Sequence, residues 1–231
     1  LEAYRILDAS NMIAFLFAGI LLPMFSRMLS QQLNIEHLVA TSTNIMLSAS
    51  LALVSFCVVY AQEIMGLLYP DVNHELIIIF SFVISSFPAF CIMYIYSTLL
   101  TANGNLTLLI KIALFGSLFS IFLNAIMIHY LHATGAAITC FVIEWLLGFI
   151  YMFYCIRKFD LKVKLKRILQ FVILFLLMLT INLALHWFKI KLIYAIFINM
   201  VTFISIVYSI KLWDRTLIES YFKQYKASGS R

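Results

Sequence analysis

ILQFVILFLLMLTINLALHWF, residues 168–188, runs its whole length without one Asp, Glu, Lys or Arg. A helix of that length rises about 30 Å, the hydrocarbon thickness of a bilayer. Its middle, Phe171–Leu179, is apolar on every side, as a helix facing lipid or a bundle core is, and lacks the two-residue alternation of a barrel strand. Further charge-free runs cover residues 9–26, 37–62, 76–110, 112–143, 145–156 and 192–210. In hydrocarbon every backbone N–H and C=O must be satisfied within the chain, which leaves bundled helices or closed barrels. The chain therefore reads as an all-α, polytopic integral membrane bundle of about seven transmembrane helices.

Composition agrees. Of the 231 residues, 64% are hydrophobic and 11% charged, more apolar matter than one soluble core can bury. The expected spans are about 4–27, 38–61, 76–101, 106–128, 134–156, 167–187 and 192–211. Short turns separate them at Tyr69-Pro70-Asp71, Asn103-Gly104-Asn105 and His132-Ala133-Thr134-Gly135. The domain reading is a five-helix bundle over 1–156, two additional spans over 157–211 and a tail over 212–231. That tail carries Trp213, Leu217, Ile218, Tyr221, Phe222 and Tyr225 at helical spacing, either a cytoplasmic interfacial helix or a frayed end whose aromatics anchor the last span. No signal peptide is evident and the first residue is Leu1, so a truncated or excised chain is expected.

Charge sets the orientation. The segment Arg157–Arg167, RKFDLKVKLKR, has six basic residues and one acid and belongs on the cytoplasmic side. Alternation puts Arg27, Lys111 and the basic tail on that side too, leaving Arg5, Lys189 and Lys191 opposite. The loop 62–75, with Glu63, Asp71 and Glu75 and no Lys or Arg, fits the outside. The expectation is a multi-pass protein of the cell inner (cytoplasmic) membrane with a cytoplasmic C-terminus. The net charge of +6 lies in loops and tail, which argues for membrane lipids as partners and against nucleic acid.

Ionisable groups inside spans are costly at mid-bilayer, so Arg5, Asp8, Lys111 and Glu144 stand out. Arg5 and Asp8 share a helix face, with Asn11 near it, and form either a polar patch lining a wet cavity or an internal ion pair joining helices. Glu144 lies near mid-span and is either a protonated core acid or a proton or coupling-ion site. Lys111 can snorkel to the interface or turn inward toward a lipid phosphate. Asn44 and Asn124 read as interhelical hydrogen-bond formers, and Pro23 and Pro88 as helix bends. Cys57, Cys91, Cys140 and Cys155 lack ligand spacing and read as small apolar residues. His129-x-x-His132 has no third ligand, so neither a metal nor another cofactor is indicated. No catalytic motif occurs, and enzyme action is not expected.

One family pattern does emerge. Ala3–Met28, AYRILDASNMIAFLFAGILLPMFSRM, resembles the A-x-R-L … L-P-x-x-S-R segment of the polysaccharide and lipid-linked oligosaccharide (O-antigen type) flippases, with Ala3, Arg5, Leu22, Pro23, Ser26 and Arg27 matching and Ile6 replacing Leu. Leu99–Thr139 is similar to the same family's A-x-G, N-x-x-L-N and G-A-A stretches through Ala102, Gly104, Leu123, Asn124, Gly135, Ala136 and Ala137, with Ser120 in place of the first Asn. The resemblance covers about residues 3–156. It implies the C-terminal lobe of a two-lobed exporter of the multidrug/oligosaccharidyl-lipid/polysaccharide superfamily, whose N-terminal lobe is missing from this chain. The implied substrate is a lipid-linked oligosaccharide moved by alternating access. Arg5, Asp8, Asn11, Lys111 and Asn124 are the implied substrate contacts, and Glu144 the ion-coupling group. A polysaccharide polymerase or chain-length machinery is a further implied partner, and lipopolysaccharide synthesis the implied process. The alternatives are a cation-coupled multidrug exporter of that superfamily and a non-transporting membrane scaffold subunit.

Overall fold

A computed structural model describes residues 4–70, 72–162 and 164–209. It contains α1 (Tyr4–Ser30), α2 (Glu36–Val59), α3 (Ala61–Leu68), α4 (His74–Ile84), α5 (Phe87–Ala102), α6 (Leu106–Phe159), α7 (Leu165–Trp187) and α8 (Leu192–Ser209). No strand occurs among the described residues. Asp71, Ala3 and the tail proposed as an interfacial helix lie outside them.

A straight α6 of 54 residues would be about 80 Å long, far beyond one bilayer crossing. It is a hairpin instead. The backbone leaves helical geometry at His132 (φ 50°, ψ −127°), and residues equidistant from that point meet. Lys158 Nζ donates to Asn105 Oδ1 at 2.6 Å, a Cβ added to Gly116 would press on the Leu147 side chain, and one added to Gly135 would strike the Met127 carbonyl. Arms 106–131 and 133–159 are thus two antiparallel crossings, close to the expected 106–128 and 134–156. Counting α4 and α5 as one crossing gives seven, the number of expected spans.

The span expected over 76–101 is broken. Helix α4 ends at Ile84 and α5 restarts at Phe87, with Pro88 in its first turn, where a missing N–H costs no intrahelical bond. Around the break Ser85 and Ser86 turn their hydroxyls back to the carbonyls of Ser81 and Phe82. The bend read from Pro88 is thus a helix restart preceded by two serines. Pro23, by contrast, sits inside an unbroken α1. Sequence reading also treated 62–75 as loop, whereas Ala61–Leu68 forms the short helix α3.

Helices α4 and α5 are the axis of the bundle. Both pack against α1, α2 and α6, while α7 lies on α2 and α8 on α7 and α2. Phe80, Val83, Ile84, Ile95, Leu99 and Leu100 on this axis are essentially without solvent exposure. Gly148 on α6 sits beside the Ala89 carbonyl, so the small residue lets the two backbones approach. The ends also sort as the alternation of spans requires. Asn105 and Lys158 meet at one end, Glu63 and His186 at the other. The protein is a multi-pass helical membrane bundle.

Candidate functional site: charged residues at three depths

Helix α1 has two faces. Leu7, Ala14, Leu21, Phe25 and Met28 are buried, and the opposite stripe through Arg5, Asp8, Met12, Leu16, Gly19, Pro23 and Ser26 is exposed. The packed face meets α5 and α4. Arg5 and Asp8 sit where the three-residue spacing places them, on the exposed stripe near the His186 end. They form no ion pair with one another, unlike the internal pair considered from sequence. Among the described residues the ion pair within 4.0 Å is Glu63–His186. Asn11 turns toward the packed side and is half-buried, and its Oδ1 has no hydrogen-bond partner among the described residues.

Glu144 is on the second arm of α6, half-buried, about 17 Å along the helix from the turn at His132. That is the middle of a crossing. Its Oε2 is buried without a hydrogen-bond partner among the described residues. Tyr94 of α5, and Cys140 and Tyr151 of its own arm, lie within its electrostatic reach. Tyr94 also packs edge-on against Phe15 of α1, ring centroids 6.2 Å apart, and stacks with Phe90. Next to the acid, Trp145 Nε1 donates to the Ser85 carbonyl at 3.2 Å, and Ser86 Oγ lies 4.0 Å from Cys140 Sγ. The break between α4 and α5 is therefore tied directly to the turn of α6 that carries Glu144. Tyr94 of α5 and Tyr151 of α6 thus stand near one half-buried carboxyl.

Lys111 is exposed on the first arm of α6, about 9 Å from the end marked by Asn105, within snorkelling range of that interface. Asn124 was expected to bond between helices. Its Nδ2 instead donates 3.3 Å to Ser120 Oγ, one turn back on the same helix. Ser120 is the residue that departs from the N-x-x-L-N pattern, and it supplies an acceptor at that position. Asn44 is buried in α2. All four cysteines are free thiols, and Cys155 Sγ donates to the Tyr96 carbonyl at 3.4 Å.

The structure thus does not gather the sequence candidates into one pocket. Arg5, Glu144 and Lys111 stand near one end, the middle and the other end of the bundle, on α1 and the two arms of α6. A buried assembly that sequence reading missed lies elsewhere. Asn199 Nδ2 donates to Asn182 Oδ1 at 2.7 Å, and Asn182 Nδ2 donates to Ser55 Oγ at 3.2 Å, joining α8, α7 and α2. At the adjoining end His186 Nε2 lies 2.9 Å from Glu63 Oε1, with the Tyr60 ring edge-on to the imidazole. The signal was present, since Asn182 and Asn199 interrupt apolar runs just as Asn44 and Asn124 do.

No family model, no curated protein and no solved structure matches this chain. The class defined by its own fold is a polytopic α-helical membrane protein.

Proposed function

We propose that the chain is the C-terminal lobe of a flippase that carries a lipid-linked oligosaccharide, or a polysaccharide precursor, across the cytoplasmic membrane. The observation that carries this reading is the exposed stripe of α1. One face of that helix packs on α5 and α4, and the other presents Arg5 and Asp8 above an apolar track with nothing of the described chain against it. A cation at the head of such a track suits a pyrophosphate-linked headgroup, while the track itself tolerates a lipid chain alongside. The sugar head is too polar to cross hydrocarbon unaided, so an opposing lobe would close over it and reopen on the other side.

In this reading the Lys158 end is cytoplasmic, because six cations lie between Arg157 and Arg167. A cysteine at Lys162 should then label only from the cytoplasm and one at Lys189 only from outside. In the intact parent, Arg5→Ala should abolish export of the glycan while membrane insertion stays normal. Undiminished surface glycan would remove Arg5 from the assignment.

A second reading draws on Glu144. A half-buried carboxyl with one oxygen unpartnered among the described residues, near Tyr94 and Tyr151 at mid-span, suits a cation-coupled drug exporter of the same superfamily. Glu144→Gln should then abolish cation-dependent efflux of a cationic dye. If the variant still drives efflux, the carboxyl is a structural core group.

A further inference from the structure

The connector between α6 and α7 holds a concentration of positive charge that no described acid pairs with. Arg157, Lys158, Lys162, Lys164, Lys166 and Arg167 fall within eleven residues, with Asp160 the one acid among them. None of the six forms an ion pair with a described residue, the described pair being Glu63–His186 at the opposite end. Arg157 lies over the Phe153 ring at 4.4 Å and Lys158 is fixed to Asn105. Lys162, Lys164 and Lys166 are exposed. The first turn of α7 carries no acid, so the partial positive charge of that helix end adds to the cations.

Geometry keeps this charge at the membrane surface. Only Asp160–Lys164 link the last turn of α6 to the first of α7, a stretch that reaches at most about 18 Å when fully extended. Leu161, 8% exposed, is buried in the main core and pins the strand to the end of the bundle. The lysines around it are therefore held within a few residues of two apolar, membrane-spanning helices. The opposite end has no equivalent among the described residues: Arg5, Lys189 and Lys191 share it with Asp8, Glu63 and Glu75.

We propose that the α6–α7 connector is a docking surface for the phosphate headgroups of anionic phospholipids in the surrounding leaflet, with Lys162, Lys164 and Lys166 as its principal contacts. Anionic lipid supplies a counter-charge that the described residues do not, in the plane where the cations are held. A cation near an anionic membrane surface favours binding by roughly fivefold per charge, and salt weakens the effect. The inference does not depend on the cargo or on the function proposed above.

The test uses the full chain reconstituted in phosphatidylcholine vesicles with a minor fraction of phosphatidylglycerol. Spin-labelled phosphatidylglycerol and phosphatidylcholine then report which lipid the protein immobilises. Phosphatidylglycerol should be preferred, with the preference declining as salt rises. The triple variant K162Q/K164Q/K166Q should lose most of it, K162R/K164R/K166R should keep it, and K189Q/K191Q should leave it unchanged. An undiminished preference in the triple glutamine variant would overturn the proposal. So would equal loss in K189Q/K191Q, or full displacement by inorganic phosphate at matched ionic strength, which would indicate a site for the free anion.

Discussion

Replacing Asn182 by Ala removes the centre of the buried relay and so tests what holds α7 and α8 to the bundle. Asn182 donates to Ser55 and accepts from Asn199, and both Asn182 and Ser55 are essentially fully buried. Hydrogen bonds between transmembrane helices are worth on average about 0.6 kcal/mol and at most about 1.7. Losing two should cost about 1–3 kcal/mol. Ser55 is not orphaned by the change, because its hydroxyl donates to the Ala52 carbonyl at 2.8 Å, so the unsatisfied group falls on Asn199. Asn199→Ala breaks one bond and should cost about 0.6–1.7 kcal/mol. Once Asn182 is gone, however, Asn199→Ala has no further bond to break, and the double variant should be scarcely less stable than Asn182→Ala. Reversible unfolding by SDS in mixed lipid–detergent micelles measures all four corners of this cycle. Strict additivity of the two single changes would refute the relay.

Other substitutions probe other joints. Gly135→Ala should disrupt folding more than Gly116→Ala, since the added methyl meets the Met127 backbone in one case and a movable Leu147 side chain in the other; thermal unfolding in detergent ranks them. Trp145→Phe removes the bond to the Ser85 carbonyl and should cost about 0.5–1.5 kcal/mol in the same SDS assay. His186→Ala should cost below about 1 kcal/mol, because the His186 and Glu63 side chains are 48% and 39% exposed, and high salt should reduce the difference further.

The crossings were legible because bilayer thickness constrains length so strongly. Seven expected spans became seven traverses, including the pair joined at His132, within the turn expected over 132–135. What escaped the sequence was anything decided by rotation of one helix against another. Asn124 and Asn182 look alike in the chain, each a lone amide in an apolar run. One bonds to Ser120 on its own helix and the other links three helices. Which way an amide points depends on the packing of α2, α7 and α8, and no local periodicity encodes that. The Arg5–Asp8 spacing likewise placed both residues on one face, yet spacing could not say whether that face would be covered. Ser85-Ser86 before Phe87-Pro88 carried the interruption of the central crossing, although the proline alone suggested only a bend.

The reversal at His132 bears on how the protein enters a membrane. Where most paired crossings are separated by a hydrophilic loop, this one has a corner, with helix on either side of a single residue in non-helical geometry. Only the short, acid-free stretch around His129–Thr134 has to be carried through the hydrocarbon there. The two arms can partition into lipid together as one wedge, and Asn105 and Lys158 then remain on the side from which the wedge entered. Lengthening that corner with polar residues would turn a concerted insertion into a translocation step, and the residues flanking it would be the first to register the change.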